Sequence, residues 1–368
     1  MSESKNCIGI VAFWDKLAVP YLDKYEQTLD RMQIPYQSIL WDRSTDGETA
    51  ESEDRTELVI RRSVRPGMIG KIAGFLRWRR EAKKLLRNRQ YAGLIVLTTH
   101  PAVLLSSFLK RKYKNRYVLD IRDYTQEKYS LYRRLVMSLI DKSAMTTISS
   151  KGFLRFLEPH EKIVPNHNIT VTEQTPKSEF VFDEPIEISF VGNVRLDRQT
   201  EAMLLTLANN PKYHLRFVGR IVPGCNIEEL IREHKIRNVS LEGAFNVRQK
   251  PEIYSRTHLI NAVYANAAEH LSLGDATPLP NRLYDAIVFR CPLVASKGTY
   301  LAEIIDEYHL GLAVNGFDRD LDEQITAYLA GFRAEAFLDG CAKLYREVLA
   351  EESAFHDKLR SIFTEWVL

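Results

Sequence analysis

The chain has 368 residues, of which 45% are hydrophobic and 27% are charged. This composition excludes a disordered chain, and the length exceeds what one hydrophobic core usually fills, so we expect two domains. The net charge of +3 conceals an asymmetry, since residues 1–165 carry 30 Lys and Arg against 19 Asp and Glu, whereas the remaining residues carry 21 against 29.

Cysteines and apolar runs bear on the cellular compartment. Four cysteines are scattered without a CxxC pair, as in a reduced cytoplasmic protein. The start of the chain is polar, and the apolar run Cys7–Phe13 that follows is too short for a secretion signal. Residues 90–109 carry no formal charge, but Thr98–Pro101 interrupt them, which favours strand, turn and helix over a membrane span. We therefore expect a cytoplasmic protein.

The first half of the chain alternates predicted strands with predicted helices. Apolar runs predict strands at Cys7–Phe13, Tyr36–Trp41, Leu94–Leu97, Tyr117–Ile121 and Met145–Ile148. Helical periodicity predicts helices at Tyr21–Met32, Lys71–Asn88, Ala102–Lys112 and Tyr129–Ser143. The polar segment 42–57 is predicted to be a loop.

The second half repeats the alternation after a connection at residues 166–185 that lacks a helical period. Strands are predicted at Ile186–Val191, His214–Val218, Val239–Glu242, Leu259–Val263 and Leu293–Ala295. Helices are predicted at Arg198–Ala208, Ile227–His234, Leu321–Leu329 and Ser353–Val367. The sequence therefore predicts an α/β protein with two Rossmann-like, doubly wound parallel-sheet domains, residues 1–165 and 186–350, and a C-terminal helix, 351–368, that crosses back.

A loop followed by a helix at residues 277–289 places a cation and a carboxylate together. Pro278 and Pro280 exclude a regular helix before Asn281, so a fixed loop should lead into the first turn. Arg282 and Asp285 then share one face of that turn, beside unpaired backbone N–H groups. This arrangement suits a diphosphate beside Arg282 and ribose hydroxyls on Asp285. The alternative is an ion pair between these two side chains on a solvated face.

The segment Pro280–Asp285 and the strand Pro292–Ser296 resemble the nucleotide-binding motif of the retaining family-4 glycosyltransferases, especially capsule and exopolysaccharide enzymes. The resemblance implies the GT-B architecture, two Rossmann-like domains facing a cleft, with a nucleotide-sugar donor in the second domain. We expect this donor to be UDP-linked. In the better-known form of the motif two glutamates stand eight positions apart. Asp285 occupies the second position and Thr277 the first, so Thr277, Leu279 and Asn281 join the candidates for donor binding.

Glycines at two predicted strand ends mark a second part of the donor site. Gly192 follows the strand Ile186–Val191 and permits close backbone approach. The resemblance implies a basic residue here that neutralises the leaving diphosphate, so Arg195 is a catalytic candidate and Arg198 a donor-binding one. Arg220 is a similar candidate after the second strand-end glycine. The alternative for each arginine is a solvated position at a helix start.

No metal site is predicted. His and Cys clusters at ligand spacing are missing from the sequence, as are the GxxxxGK[ST] and GxGxxG phosphate loops. Asp318-Arg319-Asp320 has the Asp-x-Asp form but precedes a predicted helix, so helix capping explains it better. We therefore expect no metal ion and no cofactor other than the donor, and diphosphate departure has to be stabilised by arginines and a helix N-terminus.

Two candidates lie in the first half, each after a predicted strand. His100 follows the strand Leu94–Leu97 and could bind a sugar hydroxyl or orient the transferred group, or it could stabilise its own loop. Asp123 ends the Asp120-Ile121-Arg122-Asp123 segment and is a candidate for an acceptor-side role. Asp120 is instead expected to form an internal ion pair.

Basic residues are concentrated in two segments of the first half, Lys71–Arg89 and Lys110–Arg116. Aromatic and aliphatic residues interleave with the first, which suits an anionic membrane surface where a lipid-linked glycan acceptor resides. A surface helix with a narrow core stripe is the alternative. RNA binding is a third reading, but no RNA-binding module is recognisable, so no nucleic-acid partner is predicted.

Together these features predict a cytoplasmic glycosyltransferase at the inner face of the membrane, which moves a sugar from a nucleotide-diphosphate donor to a lipid-linked or polysaccharide acceptor for a bacterial surface glycan. The resemblance implies retention of anomeric configuration. Two alternatives stay open: a UDP-sugar epimerase of the same architecture, and a non-catalytic GT-B-like partner protein. The usual Ser-Gly-Gly segment of the epimerase is missing, since no Gly-Gly pair occurs in the sequence.

Overall fold

The computed structural model describes residues 6–14, 21–54, 56–169, 176–264 and 271–368. The chain forms two compact units. Unit 1 comprises residues up to 167 together with 350–368, and unit 2 comprises residues 168–349.

Unit 1 is built on a sheet of eight described strands. They are β1 (Ile8–Val11), β2 (Tyr36–Asp42), β3 (Ala50–Glu51), β4 (Glu57–Arg61), β5 (Gly93–Leu97), β6 (Tyr117–Ile121), β7 (Met145–Ile148) and β8 (Ile163–Pro165). Their order is β3-β4-β2-β1-β5-β6-β7-β8. Every pair is parallel except β3 with β4. The carboxyl ends of the parallel strands therefore meet at one edge of the sheet.

Helices connect these strands, as parallel pairing requires. They are α1 (Leu22–Arg31), α2 (Gly67–Arg89), α3 (Thr99–Leu104), α4 (Ser106–Lys112) and α5 (Ser130–Lys142), with a 3₁₀ turn at Lys151–Arg155. Among the described residues, none of the helices is both long and apolar enough to cross a lipid bilayer.

Unit 2 contains a second, fully parallel sheet. Its six strands are β9 (Ile186–Val191), β10 (Tyr213–Val218), β11 (Val239–Gly243), β12 (Leu259–Ala262), β13 (Leu293–Ser296) and β14 (Gly311–Val314), in the order β11-β10-β9-β12-β13-β14. Its helices are α6 (Arg198–Thr206), α7 (Ile227–Glu233), α8 (Lys250–Ser255), α9 (Leu273–Ala276), α10 (Asn281–Phe289), α11 (Tyr300–Tyr308) and α12 (Leu321–Ala330). The chain ends in α13 (Ala334–Val367).

The structure corrects several predicted elements. The segment 42–57 is not wholly a loop, because β3 lies within it and β4 begins at its last residue. The single helix expected at Ala102–Lys112 is two helices that meet at Leu105, and the first begins before Pro101 because proline fits an opening turn. Five short elements, β8, α8, α9, α11 and β14, also lie where none was predicted.

The last helix begins 19 residues earlier than predicted, at Ala334 instead of Ser353. Its first half buries Phe337, Cys341, Leu344 and Val348 in the core of unit 2. Its last turns bury Phe355, Leu359, Phe363 and Trp366 in the core of unit 1, at the helical spacing of three to four residues. One amphipathic helix thus supplies hydrophobic residues to both cores.

A buried polar cluster fixes the end of unit 1 to this helix. Lys24 of α1 lies 2.5 Å from the Glu352 carboxylate and donates to Asn166 Oδ1 at 3.1 Å. Glu352 also accepts the His167 backbone N–H at 2.6 Å. Burial lowers the pKa of Lys24, and the Glu352 carboxylate opposes that shift. The pair therefore ties α1, the segment after β8 and α13 together within unit 1.

We predict that Gly93→Ala destabilises unit 1. An added Cβ at Gly93 would lie 1.9 Å from the ring of Trp366, which is only 5% exposed and cannot move away cheaply. Overpacking of this kind costs about 1–3 kcal/mol, measurable by urea unfolding. Gly47→Ala is the control, because its added Cβ would meet its nearest atom, in Arg61, at an ordinary 3.5 Å.

Adding Trp366→Leu to Gly93→Ala should recover part of the lost free energy of unfolding, because it removes the ring that meets the added methyl group. Equal stability of the Gly93 and Gly47 variants would contradict the packing of α13 against β5.

Candidate active site

Two glycine turns lie side by side at the carboxyl edge of the unit 2 sheet. Gly192 follows β9 and Gly219 follows β10, with φ of 137° and 148°. A Cβ at Gly219 would lie 1.7 Å from the Gly192 carbonyl oxygen, so the two backbones approach as closely as glycine allows. A Cβ at Gly192 would meet nothing within 4 Å, which leaves space over this turn.

Arg282 lies in the first turn of α10, against the ends of two strands. Its Nη1 donates to the Asn261 carbonyl of β12, and its guanidinium carbon lies 4.1 Å from the centre of the Phe190 ring of β9. Burial lowers the pKa of Arg282, and the nearby tyrosines and carboxylates oppose that shift. Arginine stays protonated in such surroundings, so a cation is fixed at this edge of the sheet.

The two helices that begin at this edge differ in how their first turns are satisfied. Asp197 caps α6, since its carboxylate accepts from the backbone N–H groups of Gln199 at 3.1 Å and Thr200 at 3.0 Å. Pro280 occupies the corresponding position of α10 and provides no side-chain acceptor. The first turn of α10 therefore keeps its partial positive charge uncompensated by a capping side chain, beside Arg282.

Asp285 is held by two protein donors. Its Oδ1 lies 2.7 Å from Lys250 Nζ of α8, and its Oδ2 accepts from the Tyr254 hydroxyl at 2.7 Å. Asp285 is buried, and both burial and this carboxylate raise the pKa of Tyr254. No ion pair joins Asp285 to Arg282, so the alternative of a solvated pair on one helix face is wrong. A carboxylate has about four acceptor positions, and Lys250 and Tyr254 use two of them. Asp285 can therefore still accept from ribose hydroxyls, and this contact stays a prediction.

The loop before α10 uses most of its side chains internally. Thr277 is fully buried, and its hydroxyl donates to the Leu273 carbonyl at 2.6 Å, where it ends α9. Leu279 belongs to the hydrophobic core, whereas Asn281 is exposed. The side chains of Thr277 and Leu279 therefore shape the loop, and a donor contact through their backbone stays a prediction.

Three exposed arginines surround the glycine turns. Arg195 follows Gly192, Arg198 begins α6, and Arg220 follows Gly219. The Val194 N–H donates to the Arg220 carbonyl at 2.9 Å, so Arg195 and Arg220 lie in adjacent turns. Arg198 instead borders a cavity that Glu201, Leu205 and Phe317 also line. Arg195 and Arg220 are therefore the better placed of the three for a diphosphate.

The candidates of unit 1 also follow neighbouring strands. His100 lies just after β5, with its ring centre 6.2 Å from that of Phe13 and 6.4 Å from that of Tyr132. Burial lowers the pKa of His100, and Arg43 lowers it further. The imidazole is therefore neutral at physiological pH and can accept a hydrogen bond.

Asp120 forms the internal ion pair that the sequence predicted, whereas Asp123 is exposed. Asp120 is fully buried and accepts from Arg122 at 2.9 Å and from Thr147 at 2.7 Å. Asp120 and Arg122 thus form an internal ion pair at the end of β6. Asp123 is exposed just after β6, so its carboxylate is accessible for the acceptor-side role that stays a prediction.

Sequence reasoning missed the residues that hold the site together. Lys250 and Tyr254, the donors to Asp285, lie on the unpredicted helix α8. A signal was available, because Asn246 and Gln249 form a capping box that marks a helix start, with Pro251 in the first turn of α8. Nothing in the local sequence pointed to Phe190 as the ring beneath Arg282.

Among the described residues, no three His, Cys, Asp or Glu side chains cluster as a metal site would require. Asp318 and Asp320 do not cap α12 through its backbone, contrary to the expectation. Both carboxylates accept from the Gln324 side chain instead, at 3.1 and 2.9 Å.

No protein-family model and no curated protein sequence matches the chain. Solved structures resemble it over nearly its whole length. Sucrose-phosphate synthase from Thermosynechococcus elongatus has a TM-score of 0.70 at 14% identity, covering 98% of both chains. Anabaena HepE in complex with UDP and glucose has a TM-score of 0.65 at 15% identity, covering 96% of this chain and 99% of its own. WaaG, a glycosyltransferase involved in lipopolysaccharide biosynthesis, has a TM-score of 0.59 at 12% identity, covering 97% and 99%.

At these identities the likeness establishes the fold alone. It is the GT-B fold, and the predicted α/β class with two parallel-sheet domains is confirmed.

We predict that Asp285→Asn lowers the stability of unit 2. The change leaves the largely buried Lys250 ammonium without its counter-ion, and breaking a buried pair costs about 3 kcal/mol. Urea unfolding measures the loss. Asp357→Asn is the matched control, because its partner Arg360 is 53% exposed and such pairs contribute less than about 1 kcal/mol. If the two variants unfold at the same urea concentration, the Asp285 pair has no structural role.

Proposed function

We propose that the protein is a glycosyltransferase that uses a nucleotide-diphosphate sugar, with UDP as the nucleotide. Unit 2 binds the donor and unit 1 carries the acceptor-binding residues. The observation that carries the proposal is the Arg282 guanidinium at the carboxyl edge of a parallel sheet, beside the α10 N-terminus without a side-chain cap and the open turn at Gly192. Ligands of open parallel sheets bind at that edge, and a cation beside a helix N-terminus favours a diphosphate.

Likeness to the solved structures supports the donor class. HepE was crystallised with UDP and glucose, and another structural neighbour is described as bound with UDP-2-fluoro glucose. The Pro280–Asp285 segment adds the resemblance to family-4 enzymes of the capsule and exopolysaccharide type. We assign the diphosphate to Arg282 and Arg195, and the ribose to Asp285.

We further propose retention of anomeric configuration and transfer without a metal ion. Retention is supported by the family-4 resemblance and by a neighbour, trehalose-6-phosphate synthase, whose structure addressed glycosyltransfer with retention. In the metal-free reaction Arg195 and Arg282 stabilise the charge that develops on the departing diphosphate, because fixed cations require no reorganisation during the step. His100 binds an oxygen of the acceptor, and Asp123 accepts a hydrogen bond from the acceptor.

The acceptor is proposed to be a lipid-linked or polysaccharide glycan of a bacterial surface, reached from the inner face of the membrane. Support comes from α2. Met68 and Ile69 are 79% and 86% exposed, and Ile72 and Leu76 are both 52% exposed. Arg80 and Lys84 continue the same exposed stripe at four-residue spacing. An apolar start followed by a basic continuation suits insertion at an anionic bilayer surface.

A non-catalytic GT-B-like protein is the second candidate. The burial of Thr277 favours it, because this position holds a donor-binding glutamate in the better-known motif. Incubation with UDP-sugars separates the candidates: transfer or slow hydrolysis of the donor supports the transferase, whereas UDP binding without turnover supports the non-catalytic protein. Inversion at C2 of the sugar would instead indicate the epimerase.

We predict that Arg282→Ala weakens UDP binding about ten- to a hundredfold, measured by calorimetry, because a charge-assisted contact contributes roughly 1.5–3 kcal/mol. Arg232→Ala is the control, since this arginine is exposed near the end of α7, at the other edge of the sheet. Circular dichroism of both variants verifies the fold. Unchanged UDP affinity in a folded Arg282→Ala protein would refute the proposed pocket.

Binding to anionic liposomes should fall when α2 is altered. Arg80→Glu/Lys84→Glu removes the basic part of the stripe, and Ile72→Ser/Leu76→Ser removes the apolar part. Both double variants should cosediment less than the wild type, and wild-type binding should fall as salt rises. Arg232→Glu/Arg237→Glu applies the same charge reversal to exposed residues of unit 2 and should change little. Equal cosedimentation of all four proteins would show that α2 does not bind membranes.

A further inference from the structure

A second cation of the chain, Arg43, lies at the carboxyl edge of the unit 1 sheet, immediately after β2. Its guanidinium carbon lies 3.5 Å from the centre of the Trp14 ring, 4.5 Å from that of Trp41 and 5.2 Å from that of Phe13. Three aromatic rings thus hold the guanidinium in one position, and long side chains are rarely fixed this firmly on a surface.

The Arg43 side chain has no counter-ion and no hydrogen-bond partner in the part of the chain that the structure describes, although its backbone carbonyl accepts from the Val64 N–H at 3.1 Å. Its Nε is buried without a partner. Burial lowers the pKa of Arg43 to about 10, which means that its charge is partly desolvated and uncompensated. A partly buried guanidinium without a protein counter-ion can bind an anion through its terminal N–H groups.

Acidic residues close to Arg43 in sequence are committed elsewhere. The Asp42 carboxylate accepts from the Ser44 N–H at 2.8 Å and from the Ser44 hydroxyl at 2.6 Å. Asp46 accepts from Ser63, through both its N–H and its hydroxyl. These hydrogen bonds lower the pKa of both carboxyl groups, so the two acids stay ionised in their own loops and do not neutralise Arg43.

The side chains of His100 and Trp14 indicate which kind of molecule carries the anionic group. His100 shares the Phe13 ring with Arg43 and is close enough for the guanidinium to lower the pKa of its imidazole. Trp14 is 45% exposed, so part of an indole surface stays accessible beside the guanidinium. A flat aromatic surface of this kind suits the C–H face of a sugar ring.

We infer that Arg43, His100 and Trp14 form a binding site for the phosphoryl group of a phosphorylated saccharide acceptor. This inference rests on the proposed glycosyltransferase function and specifies its acceptor. Arg43 binds the phosphoryl oxygens through its guanidinium, His100 binds a neighbouring oxygen, and the sugar lies on Trp14. Two acceptor types carry this chemistry, a soluble sugar phosphate and a lipid-linked sugar diphosphate.

Calorimetric titration with inorganic phosphate tests the site, with UDP present to fill the donor site. Arg43→Met should weaken phosphate binding at least tenfold. Arg31→Met should leave it unchanged, because this exposed arginine ends α1, a helix that returns to the amino edge of the sheet. Equal phosphate affinity of the Arg43 variant and the wild type, or no phosphate binding by the wild type, would overturn the inference.

Chemical modification of the wild-type protein makes the test independent of the variant's folding. Phenylglyoxal modifies accessible arginines, and mass spectrometry locates them. Phosphate should slow the modification of Arg43 severalfold and that of Arg31 little. Equal rates at Arg43 with and without phosphate would contradict the site.

Glucose 1-phosphate and geranyl diphosphate then distinguish the two acceptor types. Arg43→Met should weaken binding of the compound that binds the wild type more tightly. If Arg43→Met alters the affinity for neither compound, the inference is refuted. Titration with UDP alone tests the donor site separately from the phosphate site, because Arg43→Met should not alter the affinity for UDP. A failure of UDP to bind any form would contradict the proposed function, whereas a loss confined to phosphate binding would not.

Discussion

The position of one desolvated cation organises the candidate donor site. The Asn261 carbonyl and the Phe190 ring hold the guanidinium of Arg282, so its charge has a fixed position at the ends of β9 and β12. The glycine turn at Gly192 leaves space over this edge, and the neighbouring α6 N-terminus is already satisfied by Asp197. A charge fixed before a ligand arrives loses little conformational entropy on binding, which is the condition for efficient recognition of a diphosphate.

Each unit follows the same physical scheme with different chemistry. In unit 2 the cation rests on one aromatic ring and a carbonyl, beside a buried ion pair between Asp285 and Lys250. In unit 1 Arg43 rests on three rings and has no described counter-ion. Parallel pairing explains the positions of both arginines, because it brings the loops that follow successive strands to the same edge of a sheet. The fold thus places a cation at the carboxyl edge of each sheet, and these are the positions at which we propose that the donor and the acceptor bind.

The sequence was sufficient for the fold class and for the position of Arg282, because both depend on local signals. Apolar runs alternated with helical periods, and two prolines located the start of α10. The partners of these residues depend on contacts distant in sequence, since 35 residues separate Lys250 from Asp285 and 21 separate Asn261 from Arg282. The hydrogen bond of Thr277 could not be predicted for the same reason, because packing decides whether its hydroxyl faces a ligand or the Leu273 carbonyl.

A crystal structure of the protein with UDP tests the central claim most directly. We expect diphosphate density within hydrogen-bonding distance of the first turn of α10 and in contact with Arg282, over the turn at Gly192, with the ribose near Asp285. Diphosphate density at any other place on unit 2, with the guanidinium of Arg282 still enclosed by Asn261 and Phe190 alone, would contradict it.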